Sequence, residues 1–232
     1  MTGQTTERNP RVLADHHDAH PSRPAGPSRE QAITVTKIFS NMAVSVDGFI
    51  TGRNPHPGHG LGDGAVLHDW YWGGDTPSKV VPQFRLSETT RGFIDPLVER
   101  IGAVIAGRNS YDDAGGWGGG SPHPTAPLVV VSHRPAPPEA TPEQRFTTSI
   151  QEAVTTARTL AGDLDVSLMG GGGALTAALT AGLVDEIVIH QVPVLLGAGR
   201  RLFQELPDHA RLDLVQAVPA PGVTHLHYRV ER

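Results

Sequence analysis

Between Val166 and Leu179 the chain reads VSLMGGGGALTAAL: an apolar run, four consecutive glycines, then a helical pattern. Each glycine surrenders more backbone entropy on folding than any other residue type, so a quartet inside an ordered segment has a structural reason. Either a group approaches that backbone closely, or the turn needs torsions that other residues do not reach. A strand, a glycine turn and a helix in succession commit the chain to an α/β layer architecture.

The remaining pattern extends this unit. TKIFSNMAVS (36–45), GAVIAG (102–107), PLVVVS (127–132), the run 164–168 and DEIVIHQV (185–192) read as strands. Asp95 and Pro96 read as N-cap and first position of a helix opening PLVERI. Ser149 with Glu152 makes a capping box for IQEAVTTARTLAG, and residues 174–182 form the helix after the glycines. RLDLVQAV and VTHLHYRV form an antiparallel pair, with Leu226, Tyr228 and Val230 on one face and His225, His227 and Arg229 on the other. The expected fold is α/β, a mixed sheet with a parallel centre, an antiparallel C-terminal edge and helices on both faces.

At 232 residues and 38% hydrophobic content the chain is long enough for one sizeable core. Residues 1–31 are rich in Pro, Ser, Arg, His and Asp without periodicity and read as a mobile arm, so the folded domain spans 32–232. His16, His17 and His20 of that arm have no fixed geometry in which to hold a metal. Nineteen basic against 24 acidic side chains give a net charge of −5, which offers no general field for nucleic acid or an anionic membrane. The absence of cysteine removes disulfides, thiolate chemistry and zinc–sulfur sites. With no apolar span near 20 residues, the expectation is a soluble protein of the cytoplasm.

A glycine turn opening a helix aims backbone N–H groups and the positive end of a helix dipole at an anion. The quartet matches neither the dinucleotide nor the P-loop fingerprint, so a phosphate cradle and a tight packing turn both remain open. VIAGRNSYDD again runs from a strand into Gly107, followed by Arg108 and Ser110. VVVSHRPAP ends a strand with Ser132, His133 and Arg134. Three such strand ends suit a ligand with several phosphates lying across the carboxyl edge of a parallel sheet.

MAVSVDGFITG, VIAGRNSYD, VVVSHRP, MGGGGALTAAL and GLVDEIVIHQVPVLLGAGRRLF resemble, in that order, the dihydrofolate reductase-like superfamily. The likeness spans roughly Lys37 to Arg229 and points to the branch holding the C-terminal reductase domain of the riboflavin-pathway deaminase-reductase. Without cysteine no deaminase zinc signature can exist here, so only the reductase half is represented. The resemblance implies NADPH as cofactor. Ala43 and Ile50 would flank the nicotinamide, Gly107, Arg108 and Ser110 would hold phosphates, and Ser132, His133 and Arg134 would hold the adenosine 2′-phosphate. Gly170, Gly171, Gly172 and Gly173 would lie against the pyrophosphate.

Two departures stand out. Gly170 occupies the place where the riboflavin-pathway reductases commonly carry Glu, and the acid that polarises the pterin in dihydrofolate reductases has only Asp69 as its nearest candidate. Asp47 of SVDG would stand beside the nicotinamide as a proton relay, or else form an Asp-Gly turn without chemistry. Trp70, with Tyr71, Trp72 and His68, can stack on a flat heterocycle or serve a core or a subunit contact. His56 and His59 lack a third ligand for a metal, and His190 reads as a structural histidine. The expected function is an NADPH-dependent reductase of a flat pterin-like or pyrimidine-like small molecule, with a non-catalytic nucleotide-binding protein and a metal hydrolase built on the 12 histidines as the other readings. The apolar stretch 184–197, read as near the sheet edge, predicts a homodimer through the C-terminal strands.

Overall fold

The computed structural model describes residues 36–232, so the N-terminal arm and its histidines lie outside the described residues. Ten strands and four helices follow one another: β1 (Ile38–Ser45), β2 (Thr76–Pro77), β3 (Arg85–Leu86), α1 (Glu88–Glu99), β4 (Ile101–Gly107), α2 (Arg108–Asp113), β5 (Leu128–Val131), β6 (Arg145–Thr147), α3 (Ile150–Ala161), β7 (Asp165–Met169), α4 (Gly173–Thr180), β8 (Glu186–Val192), β9 (Leu212–Ala220) and β10 (Val223–Val230). Two 3-10 segments, Gly62–Tyr71 and Gly115–Gly119, lie in the connections.

Eight strands form one sheet in the order β6-β5-β4-β7-β1-β8-β10-β9. The six strands from β6 to β8 are parallel, whereas β10 runs antiparallel to β8 and β9 antiparallel to β10. The expected mixed sheet with a parallel centre and an antiparallel edge is therefore the observed one. Parallel strands are covered on both faces. On one side Ile38, Ile105 and Val166 pack against Ala153, Ala157 and Leu175 of the helices, and on the other Phe39, Val104 and Val130 pack against Leu97 and Tyr111.

Two local expectations are corrected. Asp95 and Pro96 do not open a helix but lie inside α1, whose N-cap is Ser87, its side chain accepting from Thr90 N. Pro96 brings no N–H, and the residue one turn before it is Gly92, whose small size eases the clash of the proline ring. Asp95 instead accepts hydrogen bonds from Ser78 Oγ at 2.6 Å and Lys79 N at 3.1 Å. The stretch 184–197 is not at the edge, because β8 lies between β1 and β10, and the uncovered long edge belongs to β9. His225 is fully buried beneath α1. By contrast Ser149 caps α3 as expected, accepting from Glu152 N at 3.2 Å, while the Glu152 carboxylate takes Thr148 N.

Candidate functional site

The strands β1, β4, β5 and β7 end together at their carboxyl edge, beside a cavity of about 990 Å³. Asn41, Met42 and Ala43 of β1 line it from below, and Ile50 and Thr51 of the next loop from above. Gly170–Gly173 line it at the start of α4, while His68, Tyr71, Trp72 and Phe84 form an aromatic wall. Tyr71 and Phe84 stack at 4.2 Å between centroids.

The glycine turn shows the close packing that was one of its two readings from the sequence. Gly170 has φ +101° and Gly172 φ +62°, torsions that favour glycine. A Cβ on Gly171 would fall 2.7 Å from Ile50 Cδ1 and 2.9 Å from both Cα and O of Leu202. Gly172 N donates to Leu202 O at 2.9 Å and Gly170 N to Met42 Sδ at 3.1 Å. The N–H groups of Gly171 and Gly173 have no partner among the described residues and stand at the cavity wall.

The three strand ends singled out in the sequence converge. A Cβ on Gly170 would meet Ser110 Oγ at 2.7 Å, and one on Gly107 would meet Ala174 Cβ at 3.5 Å, so α2 begins against the glycine turn. Arg108 Nη1 donates to Ser132 Oγ at 3.2 Å and to Pro135 O at 2.6 Å, joining the ends of β4 and β5. Ser132 Oγ donates to Arg134 O at 2.7 Å. Of the expected phosphate-holding residues on these two strand ends only Ser110 lines the cavity; Gly107, Arg108 and Ser132 stand outside the lining, with His133 and Arg134 exposed beside them. Asp112, which sequence reading passed over, takes both guanidinium groups, Arg108 Nε at 2.7 Å and Arg134 Nη2 at 2.8 Å. The signal was available: Arg108 and Asp112 are four apart on one helix.

Asp47, Asp69 and Trp70 stand apart from the cavity lining. The Asp47 carboxylate accepts from Ser45 Oγ at 2.6 Å, Gly197 N at 2.7 Å and Leu196 N at 3.2 Å. The Ser45 hydroxyl, seconded by those backbone donors, holds its carboxyl below the ordinary value. It ties the turn after β1 to the loop after β8. Asp69 is exposed, and Trp70 is 4% exposed in the core with Nε1 donating to Leu67 O at 2.9 Å. Its sequence neighbours His68, Tyr71 and Trp72 face the cavity instead. Burial pushes the Tyr71 hydroxyl up to about 12 and lowers His68, the latter against the pull of Asp69.

Asp113 and Arg200, both lining the cavity, form an ion pair that sequence reading did not foresee because 87 residues separate them. Asn41 was equally overlooked, although it is a polar interruption in the apolar run of β1. His56 and His59 pair with each other across a small turn, their rings 5.3 Å apart. Among the described residues no group of three or more His, Asp or Glu side chains could hold a metal ion, and no helix is long and apolar enough to cross a membrane.

The model of the RibD C-terminal domain family matches residues 36–226. Among solved structures, one described as a riboflavin biosynthesis protein from Shewanella sp. PV-4 is similar with a TM-score of 0.63 and 22% identity, over 85% of this chain and 100% of that one. The diaminohydroxyphosphoribosylaminopyrimidine deaminase/5-amino-6-(5-phosphoribosylamino)uracil reductase of Thermotoga maritima is similar with a TM-score of 0.52 and 13% identity, over 84% of this chain and 57% of that one. RibD of Acinetobacter baumannii gives 0.52 and 16%, over 84% and 58%. These are likenesses of fold, and the chain spans little more than half the length of the last two. No curated protein matches the chain.

Proposed function

Because the chain belongs to the RibD C-terminal domain family, we propose that it is an NADPH-dependent reductase of a flat, carbonyl- or imine-bearing heterocycle. The observation that carries the reading is the meeting of three strand ends: Ser110 against Gly170, and Arg108 on Ser132. The glycine turn is compatible with the cofactor, since Gly171 and Gly173 line the cavity with backbone N–H groups that have no partner among the described residues and could serve a pyrophosphate. When bound, NADPH supplies a hydride from its nicotinamide ring.

This chain's residues do the rest. Ala43 and Ile50 sandwich a flat ring between the end of β1 and the loop above it. Arg108 and Arg134 offer a charged fork to a phosphate monoester beyond the cavity, and Ser132 positions both by accepting from Arg108 Nη1 and donating to Arg134 O. Tyr71, Trp72 and Phe84 shield the cavity from water and give a heterocycle a face to stack on. The proton that must accompany the hydride passes through His68. Of the two imidazoles lining the cavity, the His123 ring is engaged by Val98 O and by the N–H groups of Thr125 and Ala126, whereas His68 has no hydrogen bond among the described residues.

A second reading, a nucleotide-binding protein without turnover, is favoured by one observation: the two carboxylates assigned chemistry from sequence, Asp47 and Asp69, are absent from the cavity lining. Titration of the tryptophan fluorescence with NADPH, followed by oxidation assays against a panel of pterins and pyrimidines, separates the two. Saturable binding with turnover of at least one heterocycle supports the reductase. Binding with no turnover across the panel supports the second reading, and no binding refutes both.

In assembly, β9 is the natural contact. Its Leu214 and Val215 are 58% and 48% exposed on the long open edge of the sheet, and such an edge is usually covered. We propose a homodimer formed through the C-terminal strands.

A further inference from the structure

A chain of hydrogen bonds runs from the N-cap of α1 to the floor of the cavity. Ser87 Oγ donates to Thr90 Oγ1 at 2.9 Å. Thr90 Oγ1 lies 3.2 Å from His225 Nε2, His225 Nδ1 lies 2.8 Å from His190 Nδ1, and His190 Nε2 lies 2.5 Å from Asn41 Oδ1. The strand register builds this row: Ala43 pairs with His190 and His190 with His225, and Asn41 precedes Ala43 by two residues on the same face of β1. His190 and His225 are 2% and 0% exposed, so neither ring nitrogen can turn to water.

Two facing imidazole nitrogens can share one hydrogen, never two. The row therefore has a direction, and Asn41 Oδ1, which can only accept, sets it at the cavity end. At the other end Ser87 Oγ accepts from Thr90 N at 3.2 Å and donates to Thr90 Oγ1. Thr90 then donates to His225 Nε2, His225 Nδ1–H donates to His190 Nδ1, and His190 Nε2–H donates to Asn41 Oδ1. Every hydroxyl and ring nitrogen in the row is satisfied in this sense, whereas the reverse would set a lone pair of His190 Nε2 against the Asn41 oxygen. With its oxygen taken from behind, Asn41 presents its NH2 group, which has no protein partner among the described residues, to the cavity that Asn41 lines.

We propose that the His190–His225 pair fixes Asn41 as a hydrogen-bond donor in the cavity floor, making Asn41 a specificity-determining residue that selects a ligand presenting a carbonyl oxygen there. The proposal deepens the reductase reading and rests on the same cavity binding a heterocycle. An amino group at that place on the ligand would meet a donor with a donor, and a site built for one polarity rejects the other because its own buried group loses its partner. The groups facing the pair are Trp70 and His68 from the first 3-10 segment, Phe93 and Thr90 from α1, and Asn41 from β1; none of them carries a formal charge near neutral pH. Burial lowers both imidazoles, His225 to about 4 and His190 well below its ordinary value, so the direction of the row holds across the physiological range.

The test pairs two probes, a pteridine bearing two ring carbonyls and the same pteridine bearing two amino groups in their place, titrated against the full chain without cofactor. The expected result is a preference of about tenfold or more for the dicarbonyl compound, reversed in Asn41→Asp and much reduced in His225→Phe, whose ring keeps the stack on Phe93. Long-range proton–nitrogen NMR of the wild-type histidines gives a second readout that asks nothing of any variant. His225 should carry its proton on Nδ1 and His190 on Nε2. Equal affinities, a preference that survives Asn41→Asp, the opposite tautomers, or no binding of either pteridine would each overturn the proposal. If NADPH binding and oxidation persist while the discrimination is absent, the proposal alone fails. If discrimination holds but NADPH does not bind, the reductase reading alone fails.

Discussion

Gly172 gives its backbone N–H to the carbonyl of Leu202 at 2.9 Å, and Leu202 N in turn donates to Gly48 O at 3.0 Å. The glycine turn is thereby tied through one residue to the loop that follows β1. Ile50, which stands over the cavity, packs on Gly171 within that arrangement.

Gly171→Ala should therefore act on fold and ligand together. Its Cβ meets Leu202 backbone at 2.9 Å, which cannot give way cheaply, and overpacking of this kind costs about 1–3 kcal/mol. Gly173→Ala is the control, because a Cβ there meets nothing within 4 Å. Urea unfolding and NADPH titration of both variants should show the first less stable and weaker in binding, and the second close to wild type in both. Equal behaviour of the two would show that Gly171 is not held by close packing.

Cofactor preference should depend on Arg134 and Arg108. A charge-assisted hydrogen bond to phosphate is worth about 1.5–3 kcal/mol, so losing one guanidinium should narrow the preference for NADPH over NADH by about tenfold to a hundredfold. Arg134→Ala is the cleaner variant, since its side chain is 55% exposed and bridges little besides Asp112 and Asn109. Dissociation constants for both cofactors check this. A preference unchanged in both Arg108→Ala and Arg134→Ala would remove the phosphate site from these residues.

Acid should loosen the middle of the sheet at Glu186. Burial raises this carboxyl, but hydrogen bonds from His227, Lys37 and Arg100 overcome that and hold it far below the usual carboxylate range. The unfolded chain binds a proton near pH 4.5 and the folded chain only at much lower pH. The stabilisation is accordingly complete above that value and lost progressively as pH falls below it. Glu186→Gln should cost about 3 kcal/mol at pH 7 by stranding its cations, and should flatten the acid limb of stability against pH. A variant with the wild-type acid limb would assign that limb to other carboxylates.

Association should run through β9. Sedimentation of the wild-type chain should give a dimer at micromolar concentration, and Leu214→Lys, which sets a charge on the open edge, should give a monomer with an unchanged circular dichroism spectrum. A monomeric wild type, or a dimer that survives Leu214→Lys, would refute a contact through this strand.

The parallel strands and their helices were legible because buried strands read as short apolar runs and capped helices announce their starts, as GAVIAG and the Ser149–Glu152 box did. The start of α1 was misread because Asp95-Pro96 carries a start signal of its own, while Ser87, eight residues earlier, leads into ETTRGF with little apolar periodicity. The cavity lining was legible where it is built from backbone, at Gly170–Gly173, and at the strand end carrying Ser110. The site was illegible where it depends on residues far apart in the chain. Nothing local tells that Asp112 reaches Arg134, that Arg200 reaches Asp113, or that Asn41 is backed by His190. The histidines of β8 and β10 read as ordinary members of their strands, and only the register between the strands turns them into a pair.

The place of β1 in the sheet also sets a timetable for synthesis. Ile38 pairs with Val166 on one side and Asn41 with Val188 on the other, so the first of the described strands is a central one whose neighbours arrive well over a hundred residues later. At about 5–20 residues per second on a ribosome, β1 waits for about six to thirty seconds without a ladder on either side. The β4-β5-β6 portion, with α3 laid over it, can assemble during that interval, and β1 can enter only once β7 and β8 have emerged to receive it. Long-range pairing of this sort makes refolding slow, and it makes the apolar segment IFSNMAVS the part of the newborn chain most in need of shelter.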